Sequence, residues 1–213
     1  MNNRLMRLVV LCCGLFISAC LTARAGAPAV VQPLPDSSAS FERGMREFQF
    51  GTGFAVSQNF HAIERPQLND ADVSARLGWM INNPTGGGIW RGNIELLAEV
   101  FGGAVVKGPG DALVGTTLLL RRNMIFRGAR LVPYYQIGGG GVYSDAHEDR
   151  AQHILGSPLL FDVQGGLGAR YLLSPKCALY LELDWRHISN AGLAERNVGL
   201  NSVVGWLGAS CFF

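Results

Sequence analysis

A short polar run near the C-terminus combines a histidine, a serine and side-chain amides. His187 and Ser189 are two residues apart, and Asn190 follows the serine directly. A serine hydroxyl becomes a good nucleophile when a neighbouring imidazole takes its proton, and a third group is needed to complete such a site. This run could therefore support nucleophilic catalysis. A His-x-Ser pair is common, however, and the same residues also suit a polar strand end followed by a Ser-Asn-Ala-Gly turn.

The elements that must position these residues are β-strands, because apolar and polar side chains alternate along several segments. The alternation is clearest over residues 177–189. An apolar series of Leu179, Leu181, Leu183 and Trp185 alternates with a mainly charged series of Tyr180, Glu182, Asp184 and Arg186. His187 and Ser189 continue the apolar series and share its face. Turn-rich breaks delimit eight segments: 46–57, 72–81, 89–106, 112–122, 130–143, 158–172, 177–189 and 200–213.

The composition favours a membrane barrel. The chain has 213 residues, of which 48% are hydrophobic and 16% charged, so it is too apolar to be disordered. After the N-terminus it lacks the long apolar run that a transmembrane helix needs. Alternation alone does not separate a soluble sandwich from a membrane barrel, but the terminal Phe212-Phe213 is typical of the last strand of an outer-membrane barrel. We therefore predict an all-β fold, an eight-stranded antiparallel transmembrane β-barrel over residues 46–213.

The lengths of the connections agree with this fold. If both termini lie in the periplasm, the periplasmic turns are 82–88, 123–129 and 173–176, and the outer loops are 58–71, 107–111, 144–157 and 190–199. Most of the outer loops are longer than the turns, as outer-membrane barrels prefer. His187 and Ser189 then lie beside the outer leaflet.

The N-terminus predicts export. Basic residues precede an apolar stretch over 8–21 and the small-residue site at 23–25, so residues 1–25 are predicted to be a removable signal peptide. Ile-Ser-Ala-Cys ending at Cys20 also resembles a lipoprotein box, which would lipidate that cysteine. In both cases the chain leaves the cytoplasm. Residues 26–45 are rich in proline and serine and show neither the period of a strand nor that of a helix. They are predicted to be a flexible N-terminal lead-in outside the core.

Three further features predict no cofactor, metal or nucleic-acid partner. The net charge of +2 comes without a basic block, which gives no sign of nucleic-acid binding. The glycine run 138–141 lacks a following Lys-Ser/Thr, so it suits close strand packing or a bend better than a phosphate site. His147, Glu148, Asp149 and His153 lie in one loop, but not at a spacing typical of metal ligands.

The polar run resembles the PagL-type lipid A 3-O-deacylases, a family of eight-stranded outer-membrane barrels. The resemblance rests on two motifs, His-x-Ser-Asn-Ala from His187 to Ala191 and Asn-x-Gly from Asn197 to Gly199. It implies that Ser189 is the nucleophile, that His187 is its base, and that Asn190 and Asn197 belong to the oxyanion site.

One position departs from the family pattern. Fourteen residues after the histidine, where the best-known members of the family have a glutamate, this chain has Asn201. Glu195 lies at the wrong offset, and Glu182 and Asp184 belong to the opposite strand face. An amide can still accept a hydrogen bond from the imidazole and fix its tautomer, as in Cys-His-Asn enzymes. Asn201 is therefore the third predicted catalytic residue, without a carboxylate's charge.

The resemblance implies removal of an ester-linked 3-O-acyl chain from lipid A of lipopolysaccharide in the outer leaflet of a Gram-negative outer membrane. No cofactor is needed for such acyl transfer. A homodimer remains open. Two alternatives also remain open: a non-catalytic barrel with an adhesin or structural role, and a narrow pore. We expect the charges inside so small a barrel to pack and pair, which leaves little room for a channel.

Two cysteines follow the signal region. If His187 lies opposite Asn201, the same register places Cys177 opposite Cys211. A disulfide between them is compatible with a pair of the non-hydrogen-bonded kind, whose Cα atoms are closest. The alternative is two thiols on a lipid-facing wall.

Overall fold

The computed structural model describes residues 37–58 and 67–213. Within them, no helix is long and apolar enough to cross a membrane. Eight antiparallel strands each pair with the next, and β1 pairs with β8 to close a barrel, which confirms the predicted fold. The strands are β1 (Arg46–Ser57), β2 (Asn69–Met80), β3 (Gly92–Lys107), β4 (Ala112–Met124), β5 (Leu131–Ser144), β6 (Leu159–Ser174), β7 (Cys177–Ser189) and β8 (Leu200–Phe212). The predicted signal peptide at 1–25 lies outside the described residues.

The barrel has a polar interior and an apolar outer wall. On β7, Leu181 is 66% exposed whereas its neighbour Glu182 is 2% exposed, and the other strands show the same alternation. A soluble sandwich would have its apolar side chains inside. The apolar wall is therefore the surface that faces lipid, and this distinguishes a transmembrane barrel from a soluble one.

Ion pairs fill the interior. Four buried arginines bind carboxylates of other strands, and several pairs cross the barrel: Arg76 with Glu99 and Glu182, Arg121 with Glu182, Arg170 with Glu47 and Glu95, and Arg186 with Asp70 and Asp72. Burying a charge is costly unless it is paired and hydrogen-bonded. The pairing predicted for the interior charges is confirmed.

The two ends of the barrel differ. The terminal end holds Arg46 and Phe213, which exchange backbone hydrogen bonds of 2.9 and 3.0 Å. The loop end carries the connections after β1, β3, β5 and β7. Strand bounds match the prediction within a few residues, but the turn after β2 is longer than predicted because β3 begins only at Gly92, after a 3-10 turn at Gly88–Trp90. In the glycine run, a Cβ on Gly140 would lie 1.8 Å from the Thr116 carbonyl oxygen, so close strand packing is its role.

The prediction that residues 26–45 stay outside the core is wrong for Phe41. Its side chain is fully buried at the terminal end, with its ring centroid 5.3 Å from that of Phe212. The Arg170 guanidinium lies 5.7 Å from the centroid of the Phe41 ring, and Asn93 Nδ2 donates to the Phe41 carbonyl at 2.7 Å. A single aromatic residue in a proline- and serine-rich stretch has no period, so only the tertiary contacts reveal that it closes this end.

Candidate active site on the outer wall

His187 and Ser189 lie at the loop end of β7 on the outer wall. Both side chains are half-buried, and both continue the lipid-facing series of that strand. The neighbouring strand β6 places Val163 opposite the histidine and Phe161 opposite the serine, and both β6 side chains are exposed. The pair is therefore bordered by apolar surface that faces lipid.

Asn201 on β8 is the residue opposite His187. His187 Nδ1 and Asn201 Oδ1 are 2.8 Å apart. A carbonyl oxygen only accepts hydrogen bonds, so Nδ1 carries the proton and donates it, which leaves Nε2 with a lone pair. The bond to Asn201 uses Nδ1. Nε2 lies on the opposite side of the ring and takes no part in this bond. The ring is thus held in the tautomer that a general base requires.

The indole of Trp185 stacks on the imidazole of His187. The ring centroids are 5.9 Å apart and the ring planes are inclined by 14°. The two residues are adjacent on the outer face of β7, and Trp185 is 41% exposed. The sequence interpretation counted Trp185 only as a member of the apolar series, because ring stacking depends on side-chain rotamers that alternation does not specify.

Asn190 and Asn197 meet inside the loop that joins β7 to β8. The backbone N–H of Asn190 donates to Asn197 Oδ1 at 2.9 Å. The buried Asn190 side chain donates through Nδ2 to the Arg196 carbonyl at 3.1 Å and accepts from the Gly192 N–H at 3.0 Å. Ala191 between them adopts a left-handed φ of 53°. These bonds fix the shape of the loop beside Ser189.

Gly199 brings the end of this loop against the catalytic candidates. Its φ is 74°, a region that glycine enters without steric cost. A Cβ at this position would lie 3.1 Å from His187 Cε1 and 3.5 Å from Ser189 Cβ. A side chain here would therefore crowd the imidazole, which gives the Asn-x-Gly motif a physical reason.

Arg196 hydrogen-bonds the loop between β7 and β8 to the neighbouring loop at residues 145–158. Its Nη1 donates to the Asp149 carbonyl at 2.7 Å and its Nη2 to the His147 carbonyl at 2.9 Å. The Val198 and Gly199 N–H groups add bonds of 3.2 and 3.1 Å to that loop. The sequence analysis missed this contact because an arginine in a loop is ordinarily solvated.

Carboxylates near His187 in sequence do not reach it. Glu182 and Asp184 are buried inside the barrel, as predicted, and Glu195 is exposed in the loop. Across 37–58 and 67–213, no group of three or more His, Cys, Asp or Glu side chains could hold a metal ion. The chemistry available at this wall is therefore that of a serine, an imidazole and amides.

Cys177 and Cys211 lie opposite each other in the register predicted from His187 and Asn201. Phe212 N donates to the Lys176 carbonyl at 2.9 Å, which makes that pair hydrogen-bonded and the adjacent cysteine pair non-hydrogen-bonded. The latter kind has the closer Cα atoms, which suits a disulfide.

We predict that Cys177 and Cys211 form a disulfide in protein isolated from the oxidising cell envelope. Intact-mass measurement after iodoacetamide treatment should show no labelling before reduction and two labels after it. Cys177→Ser should lower the free energy of unfolding by about 3 kcal/mol. Double labelling of unreduced, unfolded protein would show that the pair stays reduced.

The closed barrel has an apolar wall and an interior of paired charges, and these features define an outer-membrane β-barrel. The barrel also carries a His-Ser pair on its wall. The family model for lipid A 3-O-deacylase (PagL) matches residues 69–210, well over half of the chain. The chain belongs to this family, and the protein is located in the Gram-negative outer membrane. No curated protein matches it.

Two solved structures show the same fold. The outer membrane enzyme PagL is similar with a TM-score of 0.50 and 16% identity, over 74% of this chain and 97% of that one. Neisserial surface protein A has a TM-score of 0.53 and 13% identity, over 80% of this chain and 98% of that one. At these identities the likeness concerns the fold alone.

Proposed function

We propose that this protein removes an ester-linked 3-O-acyl chain from lipid A, with Ser189 and His187 as nucleophile and base. The observation that supports the proposal best is the bond from His187 Nδ1 to Asn201 Oδ1, at 2.8 Å, on the outer wall beside Ser189. It orients the imidazole as a base at the wall that faces lipid. Membership of a lipid A deacylase family supplies the substrate class.

The proposed reaction has two halves. Ser189 Oγ attacks the acyl carbonyl carbon while His187 Nε2 takes its proton, and a tetrahedral oxyanion forms. The oxyanion collapses, the carbon–oxygen bond to the sugar breaks, and His187 returns the proton to the departing 3-oxygen. Water, deprotonated by His187, then attacks the acyl-serine, which releases the fatty acid and restores the Ser189 hydroxyl. The products are a fatty acid and lipid A with a 3-hydroxyl group.

Of Asn190 and Asn197, which the resemblance assigns to the oxyanion site, we propose that Asn197 is the oxyanion donor and Asn190 supports it. Asn197 Oδ1 accepts from the Asn190 N–H at 2.9 Å, so the Nδ2 group of Asn197 is the amide donor that remains for an oxyanion. Asn190 acts by shaping the loop, because its side chain is engaged by Gly192 and Arg196. Donors fixed before the reaction stabilise developing charge without reorganisation.

The position of the site suits a substrate that already lies in the membrane. With the loop end facing outward, the His-Ser pair lies beside the outer leaflet, where lipid A is found. Exposed Phe161 and Val163 border the pair and offer apolar contact to an acyl chain. The substrate needs no enclosed pocket, since it approaches along the wall.

Mass spectrometry of lipid A tests the function. The chain is expressed in a Gram-negative strain without deacylase activity of its own, and its insertion is checked by heat-modifiable migration. We expect lipid A to lose one 3-O-acyl chain relative to cells with empty vector. Unchanged lipid A in the presence of inserted barrel would contradict the proposal and favour a non-catalytic barrel.

Asn201 variants test the unusual third residue. Asn201→Ala removes the acceptor that fixes the His187 tautomer, and we expect kcat to fall about 10- to 100-fold, less than on loss of nucleophile or base. Asn201→Glu, which restores the family's residue, should keep or raise kcat because it adds a negative charge. Rates measured on purified barrel with lipid A in micelles decide this. Equal rates for Asn201→Ala and the unaltered chain would remove Asn201 from the site.

A further inference from the structure

We infer that Trp185 is a positioning residue whose indole face stabilises the positive charge that His187 acquires during the reaction. The inference rests on the proposed function and deepens it. In a Ser-His-Asp triad a carboxylate stabilises the imidazolium, but here Asn201 offers only a neutral oxygen. The stacked indole offers the electron-rich face of an aromatic ring in its place.

The geometry meets the requirements of a cation–π contact. The centroids lie 5.9 Å apart with nearly parallel planes, within the distance of about 6 Å at which a ring attracts a cation, and tryptophan is the strongest such partner. The residues opposite His187 on the two neighbouring strands are Val163 and Asn201, and neither titrates. Because the wall faces lipid, water screens the contact poorly.

A tryptophan at this height could also be an ordinary interface anchor. Trp90 is 77% exposed in the turn at the terminal end, whereas Trp185 lies near the loop end. Trp185 differs by its stacking on a candidate catalytic ring. Trp90→Leu is therefore a matched control for the loss of an exposed indole.

Kinetics of purified full-length variants test the inference with lipid A in detergent micelles. Trp185→Leu keeps an apolar side chain without a π face, and we expect kcat to fall about 3- to 30-fold with KM unchanged. Trp185→Phe should retain more of the rate than Trp185→Leu. Trp90→Leu should leave both constants unchanged. A change in KM alone, or equal rates for the two Trp185 variants, would reduce Trp185 to a lipid anchor.

A double-mutant cycle with Asn201→Asp gives the sharper measurement. Aspartate has the shape of asparagine, so it keeps the acceptor near His187 Nδ1 and adds the missing charge. If the indole stands in for that charge, Trp185→Leu should cost less than about twofold in the Asn201→Asp background. The same loss in both backgrounds would overturn the inference, because the two groups would then act independently.

Labelling of Ser189 by a fluorophosphonate separates this inference from the substrate assignment. The reaction needs His187 as base but needs no lipid A. Slower labelling of Trp185→Leu than of the unaltered chain supports the role of the indole even if lipid A is not cleaved, in which case only the substrate is wrong. Equal labelling of both overturns the inference while deacylation stands. Absence of labelling in the unaltered chain would contradict both proposals.

Discussion

Ser189→Ala is expected to lower kcat for lipid A deacylation by at least about a thousandfold. The variant lacks the oxygen that forms the acyl-enzyme, while the apolar wall that holds the acyl chain is unchanged, so KM should stay close to that of the unaltered chain. The residue is the last of β7 and half-buried, so the barrel should form normally. Single-turnover kinetics on purified protein measures the loss.

Ser157→Ala is the matched control, because Ser157 is also half-buried at the loop end but lies in the neighbouring loop. It should retain the full rate and the same heat-modifiable migration. Retention of the full rate by a correctly folded Ser189→Ala barrel would show that Ser189 is not the nucleophile.

His187→Ala should reduce kcat by a similar factor, about a thousandfold or more. Without the imidazole, nothing takes the serine proton or returns it to the leaving oxygen. The Ser189→Ala/His187→Ala double variant should lose no more than either single variant, because the two residues act as one unit. Losses that multiply in the double variant would contradict a shared mechanism.

His153→Ala is the control for the histidine. Its side chain is exposed in the loop that contacts residues 190–199, and its backbone carbonyl, which the substitution keeps, accepts from the Val198 N–H. The variant should therefore deacylate at the unaltered rate. A large loss would instead implicate the loop histidines in the chemistry.

Most of the barrel was predictable because alternation sets the face of every strand residue. On β7 the pattern predicted which side chains lie inside and which face lipid, and the opposition of His187 and Asn201 predicted the register that also pairs Cys177 with Cys211. These properties follow from the period of two and from pairing of neighbouring strands, both of which are local in sequence.

The missed features are side-chain contacts that strand alternation does not specify. Phe41 closes the terminal end, Arg196 binds carbonyls of another loop, and Trp185 stacks on His187. None has a periodic signal, because each depends on a rotamer or on loop geometry. The assigned roles of the site residues came from a motif rather than from a period, which is why they need the kinetic tests.

The cross-barrel ion pairs constrain how the protein enters the membrane. They join residues that are far apart in the sequence: Arg76 and Glu182 by 106 positions, Asp72 and Arg186 by 114, and Glu47 and Arg170 by 123. A lone charge in the hydrocarbon costs about 3 kcal/mol or more, so early strands inserted singly would leave their charges unneutralised until the last strands arrived. We therefore expect the chain to enter the bilayer as a cooperative unit rather than strand by strand in the order of synthesis.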